Sequence, residues 1–206
     1  MESRIDGGVA TAAAGGVWSD STLTVIEDSS VTHCDAPVGG AIYGRDFGGS
    51  TTLYVDTTTF SANTASVGQA IFANTGARFE MRHATIDDHG HGSLIGSGTG
   101  RIELYSSILD GPSGPHIAGS VHSNGYNVVP PGTTLGGWKS TDHNAIAALD
   151  PLALDGNGTF FHPVPLASPA NGVGWVPSAD YDQIGTLRLP GVCDAGAVES
   201  RAREPL

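Results

Sequence analysis

Between Gly39 and Leu109 one short pattern keeps returning, and it restricts the fold more than any other feature of the chain. Gly39-Gly40-Ala41-Ile42 comes back as Gly68-Gln69-Ala70-Ile71 and as Gly92-Ser93-Leu94-Ile95, with an upstream copy at Gly15-Gly16-Val17-Trp18. The copies start at 15, 39, 68 and 92, in steps of 24, 29 and 24 residues. Each is followed by alternating positions: Leu53, Val55, Thr58, Phe60, then Phe79, Met81, Ala84, Ile86, then Ile102, Leu104, Ser107, Leu109. A repeat of this length with period-two alternation and no helical stripe predicts stacked coils of an all-β solenoid. Aligning on Val31, Phe60, Ile86 and Leu109 stacks the turns. Trp18, Ile42, Ile71 and Ile95 are expected to form an interior column.

Thirty Gly and twelve Pro suit a protein dense in turns, and solenoid coils touch only their neighbours, so the core is a narrow column. The formal net charge of −12, with nine Lys plus Arg, argues against a nucleic-acid partner, because phosphate binding needs clustered basic residues. No apolar run approaches the ~20 residues of a membrane span, and Met1-Glu2-Ser3-Arg4-Ile5-Asp6 shows no signal-peptide core. Cys34 and Cys193 can form at most one bridge, and their spacing leaves its existence open.

In chain order, residues 1–129 read as coils, the first one incomplete, and 130–206 as a C-terminal cap of short strands and long turns, with a polar tail after 199. A coil end without a polar capping element exposes backbone groups and apolar side chains. It is expected to be covered by a second copy, making a homodimer, or by the chain's own tail.

Several segments carry a family resemblance. They are the Gly-Gly-x-Ile coils, Asn124-Gly125-Tyr126-Asn127-Val128-Val129, Asp150-Pro151-Leu152, Leu166-Ala167-Ser168-Pro169-Ala170, Asp182-Gln183-Ile184-Gly185 with Arg188 and Pro190, and above all Cys193-Asp194-Ala195-Gly196-Ala197-Val198-Glu199. Together they resemble the choice-of-anchor Q domain proteins. The resemblance implies a right-handed parallel β-helix on a bacterial cell surface or secreted from the cell. It implies no single reaction. The chain departs from that family at Ile184 and Asn171, and it ends at Leu206 without an anchor.

Candidate chemistry gathers on the turns that follow the aligned strands. Asn63 fits an amide ladder whose stacked positions are Cys34, His89 and Pro112, flanked by His33, Asp35, Asp87, Asp88, His91 and Asp110. Coils lie ~4.8 Å apart, so residues two coils distant can share a site. Asp88, His89 and His91 offer oxygen and nitrogen ligands for a divalent metal such as zinc, and the acidic surface suits calcium. Asp87, Asp88, His89 and His33 are the candidate catalytic residues, the carboxylates and imidazoles acting as an acid/base pair with or without a metal-bound water. Cys34 reads as a small side chain filling the ladder, and His116, His122, His143 and His162 as surface or cap hydrogen bonders.

Three functions remain open at this point. The first is a surface or secreted β-helix that binds glycan or another macromolecule on a flat lateral face. The second is a hydrolase, metal-dependent or acting on polysaccharide, that uses the Asp/His patch. The third is a structural segment of a longer fibre.

Overall fold

The structure, a computed structural model, describes residues 3–46, 48, 51–87, 93–111 and 117–200. After β1 (Ser3–Asp6) the chain winds through four coils of three strands. The first holds β2 (Val17–Ser19), β3 (Leu23–Glu27) and β4 (Ser29–Thr32). The second holds β5 (Ile42–Gly44), β6 (Thr52–Asp56) and β7 (Thr59–Ser61), and the third β8 (Ile71–Ala73), β9 (Arg78–Arg82) and β10 (Thr85–Asp87). The fourth holds β11 (Leu94–Gly96), β12 (Arg101–Tyr105) and β13 (Ile108–Leu109). A looser round follows in β14 (Ile117–Gly119), β15 (Val121–Ser123) and β16 (Val128–Val129), and then β17 (His143–Asn144).

Corresponding strands of successive coils pair in parallel and make three walls. The first wall is β2-β5-β8-β11-β14, the second is β3-β6-β9-β12-β15, and the third is β1-β4-β7-β10-β13-β16-β17. Two short antiparallel pairs follow among the described residues, β18 (Ala153–Leu154) with β19 (Phe160–Phe161) and β20 (Asp180–Tyr181) with β21 (Leu187–Arg188). The predicted parallel solenoid is therefore what the chain forms. No helix among the described residues is long and apolar enough to cross a membrane.

Alternation along each strand sets the core. Leu53, Phe79 and Ile102 are register partners on the second wall, as are Val55, Met81 and Leu104, and all six are buried inside the column. On the third wall Val31 pairs with Phe60, Phe60 with Ile86 and Ile86 with Leu109, the alignment expected from sequence. The first wall corrects the sequence reading. Val17, Ile42, Ile71 and Leu94 are the paired inner positions, whereas Trp18 and Ile95 belong to the outer column with Tyr43 and Phe72. Trp18 is 47% exposed and stacks on Tyr43 at 4.6 Å.

Matching glycine to glycine sets the outer two copies of the motif one residue out of register, and such a slip turns every side chain to the other face. Backbone geometry shows why. The left-handed residue opening the turn is Gly39 (φ 63°) or Gly68 (φ 64°), but Ala14 (φ 58°) holds that place in the first coil, so Gly15 aligns with Gly40. At Gly40 a side chain is excluded by contact instead: a Cβ there would lie 2.3 Å from the Gln69 carbonyl.

The corner between the second and third walls bends through one left-handed residue per coil. These residues are Asp28, Thr57, His83, Ser106 and Tyr126, with φ between 42° and 62°. None is glycine, so each pays a backbone penalty that its surroundings must offset. Side-chain bonds contribute to that: Thr57 Oγ1 donates to Asp28 Oδ1 at 2.7 Å, and the Thr57 amide to Asp56 Oδ1 at 2.9 Å.

From β4 to β16 the third wall is buried on both faces. Its outward residues Ile108 and Val128 form a second core with Ala147, Phe161, Val164, Ala170, Ala195 and Val198 from the C-terminal segment. The resemblance motif holds this cover in shape. Arg188 donates to Glu199 Oε1 at 2.8 Å and to the carbonyls of Asp194 and Gly196. Asp182 accepts from the amides of Ile184, Thr186 and Glu199, and Asp194 from those of Gly172 and Ser200.

Candidate functional site

The outer face of the second wall carries long polar and aromatic side chains in three stacked columns. Pairing puts Leu23, Thr52, Arg78 and Arg101 in one column and Val25, Tyr54, Glu80, Glu103 and His122 in the next. Glu27, Asp56, Arg82 and Tyr105 make the third. Because these positions alternate with the core residues, burial of the core directs them outward.

Glu103 is the fixed point of the face. Its Oε1 receives Arg101 Nε at 2.7 Å, and its Oε2 receives Arg78 at 2.9 Å and Asn124 Nδ2 at 3.3 Å. Burial disfavours charge on this carboxyl, but the hydrogen bonds from Arg78 and Asn124 and the charges of Arg78 and Arg101 outweigh it, so its pKa falls below the ordinary value. Arg78 also reaches Glu80 Oε1 at 3.1 Å. Two groups keep capacity in hand: Glu80 Oε2 and the Arg82 guanidinium make no hydrogen bond or ion pair among the described residues.

An aromatic wall stands beside these charges. The corner residues of two successive coils grip the main chain of Trp175, which belongs to the C-terminal cover. Its amide donates to Ser106 Oγ at 3.0 Å, and its carbonyl lies 3.3 Å from both Ser106 Oγ and His83 Nε2. His83 is held in turn by Asp56 Oδ1, 3.2 Å from Nδ1. The Trp175 ring stacks on Tyr126, with centroids 6.2 Å apart, and meets Tyr105 edge to face at 6.0 Å. Burial, with Tyr126 close by, pushes the Tyr105 hydroxyl up to about 12, so it stays protonated and can donate.

Glu80, Arg82, Glu103, Tyr105, Asn124 and Trp175 thus line an open cleft of about 240 Å³. Such a set has an aromatic flank, one carboxylate oxygen and one guanidinium with spare capacity, and an amide. It suits a ligand with an apolar face and many hydroxyls.

The described residues among the catalytic candidates, Asp87 and His33, lie at the end of the third wall and on the turn after it. Asp88, His89 and His91, the candidate metal ligands, fall outside the described residues, as do Pro112 and His116. Asp87 sits under the cover with its Oδ2 3.4 Å from His162 Nδ1. That imidazole also lies 2.9 Å from the Asp150 carbonyl and 2.8 Å from Ser61 Oγ. Hydroxyl, imidazole and carboxylate thus follow one another, and all three are buried where His162 of the cover meets β7 and β10, so these contacts fasten the cover to the third wall. His33 is exposed, with Nδ1 2.8 Å from Asp6 Oδ1.

Cys34 is buried and Cys193 is buried, and both are free thiols. The Cys34 amide donates to Asn63 Oδ1 at 3.0 Å while Asn63 Nδ2 donates to the Val31 carbonyl, so this rung of the expected ladder forms. Asn127 makes a second such rung with the Ser107 amide and the Leu104 carbonyl. Among the described residues no three His, Cys, Asp or Glu side chains gather closely enough to hold a metal ion.

Reading the sequence overlooked the second-wall cleft. Glu80 with Glu103 and Arg78 with Arg101 stand at matching points of the repeat, which is a usable signal. Trp175 has none, because nothing local ties it to Ser106, 69 residues away. Comparison with protein-family models, with curated proteins and with solved structures returns no match.

Proposed function

We propose that the protein is a surface-displayed or secreted carbohydrate-binding solenoid that takes its ligand in the second-wall cleft. The observation that carries this reading is the Trp175 ring, 37% exposed, held at a clamped main chain over a face where Glu80 and Arg82 keep hydrogen-bonding capacity. A ring face stacks on the apolar face of a sugar, while a carboxylate and a guanidinium read its hydroxyls from opposite sides of the donor–acceptor inventory. Glu103 contributes indirectly, since its contacts to Arg78, Arg101 and Asn124 fix the floor of the cleft. Surface display follows from the resemblance to choice-of-anchor Q proteins, whose C-terminal motif here serves to fold the cover.

Affinity electrophoresis through gels containing plant and bacterial polysaccharides, followed by calorimetry, tests the reading. Wild type should be retarded, and Trp175→Ala should weaken binding by roughly tenfold or more while leaving the melting temperature within a few degrees. Glu80→Gln should weaken it as well. A wild type retarded by no polysaccharide, or a Trp175→Ala variant that binds as well as wild type, overturns the assignment.

A further inference from the structure

The cleft beside Trp175 does not end at the third coil. A second cleft of about 220 Å³, lined by Val25, Glu27, Tyr54, Val55, Asp56, Glu80 and Arg82, shares Glu80 and Arg82 with the first. The two therefore meet on β9, and together they follow the second wall from Asn124, at the end of β15, to β3. At ~4.8 Å per rung the run covers about 19 Å along the solenoid axis. Tyr54, 39% exposed, rises from β6 two rungs from Tyr105 on β12, about 10 Å along that axis.

Resting on the carbohydrate reading above, we infer that the ligand is a linear, uncharged polysaccharide that lies along the solenoid axis and occupies both clefts, with Tyr54 as a second sugar platform. Three features select this class over a single terminal sugar or an acidic chain. First, the two groups with spare hydrogen-bonding capacity, Glu80 and Arg82, stand at the junction of the clefts, where only a ligand spanning both uses them fully. Second, the aromatic platforms are offset by two rungs along the axis, about 10 Å, and by only one column across it, about 6.6 Å, which matches alternate units of an extended chain running obliquely up the wall. Third, four carboxylates (Glu27, Asp56, Glu80, Glu103) face three guanidiniums (Arg78, Arg82, Arg101) along the run, in a chain of net charge −12. The end near β3 continues into a third cleft lined by Glu27, Asp28, Asp56 and Asp180. A polyanion entering there meets like charge, whereas a neutral polyol meets acceptors.

The test uses the neutral polysaccharide that retards the protein most, cut to a size series from disaccharide to hexasaccharide, with oligogalacturonides of the same lengths as the anionic arm. Affinity should rise about tenfold or more between disaccharide and hexasaccharide. Tyr54→Ala should abolish that gain while leaving disaccharide binding intact, and Trp175→Ala should weaken every length. Equal affinity at all lengths, or a silent Tyr54→Ala beside a damaging Trp175→Ala, overturns the axial groove and leaves the single cleft standing. Preference for oligogalacturonides overturns the neutral class. Failure of every polysaccharide to bind removes both the groove and the reading beneath it.

Discussion

The second and third walls are made by the same four coils, a corner of one or two residues apart, yet one faces outward and the other is covered. On the third wall the outward positions under the cover are small hydroxyls and aliphatics, with Asp87 met by His162, and the C-terminal segment reads them directly. Thr59 Oγ1 donates to Gln183 Oε1, Thr85 Oγ1 accepts from the Ala197 amide, Ser30 Oγ accepts from the Phe160 amide, and Ile108 and Val128 join the second core. On the second wall the outward positions are Arg, Glu and Tyr, whose desolvation a covering segment could not readily offset. Short side chains let a second layer approach. Long charged ones hold it off, and the cover meets this side along the rim, with Trp175 and Pro177 at one cleft and Asp180 at another.

The contrast predicts that damage on the third wall is felt as lost stability, and damage on the second as lost binding. The largest effect should come from Phe161→Ala, which empties a site 2% exposed in the second core. It should cost about 3–5 kcal/mol in chemical denaturation. A loss below ~1 kcal/mol would mean that the cover is not an integral layer. Next, Asn63→Ala strands the Cys34 amide and the Val31 carbonyl inside the turn and should cost ~1–3 kcal/mol. Faster hydrogen exchange at the Cys34 amide is the accompanying signature, and unchanged exchange there would count against the ladder.

A third effect is tied to pH. Burial pushes Glu199 from 4.5 up to about 7, against the pull of Arg188 and with Asp194 and Asp182 adding to the rise. Between those values the folded chain keeps a proton that the unfolded chain has released. This contribution to stability is therefore full at low pH and is lost as pH rises toward 7. Melting curves across that window should fall more steeply for wild type than for Glu199→Gln, by at least about 2–4 °C. Parallel curves would refute the assignment. The smallest effect belongs to the open wall: Arg101→Ala, at a side chain 49% exposed, should change stability by less than ~1 kcal/mol. A larger loss would show that the second wall is as structural as the third.

Much of this architecture could be read from residues. Leu53, Phe79 and Ile102 alternate visibly, and aligning Val31, Phe60, Ile86 and Leu109 reproduces the third-wall pairing. The first wall was harder because the marker there was glycine, and glycine stands in the turn for two separate reasons. Gly39 supplies a left-handed residue, Gly40 a close approach, and Ala14 fulfils the first need without being glycine, so matching glycine pairs shifted the frame by one. The left-handed corner at Asp28, Thr57, His83 and Ser106 left no trace, since these four residue types share no composition signal.

In the sequence, His and Asp cluster on the turn after the aligned strands, and that clustering points to chemistry there. In the described part of that turn, Asp87 is occupied by His162 and His33 by Asp6. The cleft side of the molecule depends instead on Trp175, delivered from beyond the coils.

The sequence by itself determined that the chain stacks parallel coils, because the period of the repeat and the alternation within it admit burial in no other way. Tertiary structure decided which wall stays open. That choice rests on whether the distant C-terminal segment can desolvate the outward side chains of a wall, and this balance involves residues more than a hundred positions apart, such as Thr59 with Gln183 and Ser61 with His162.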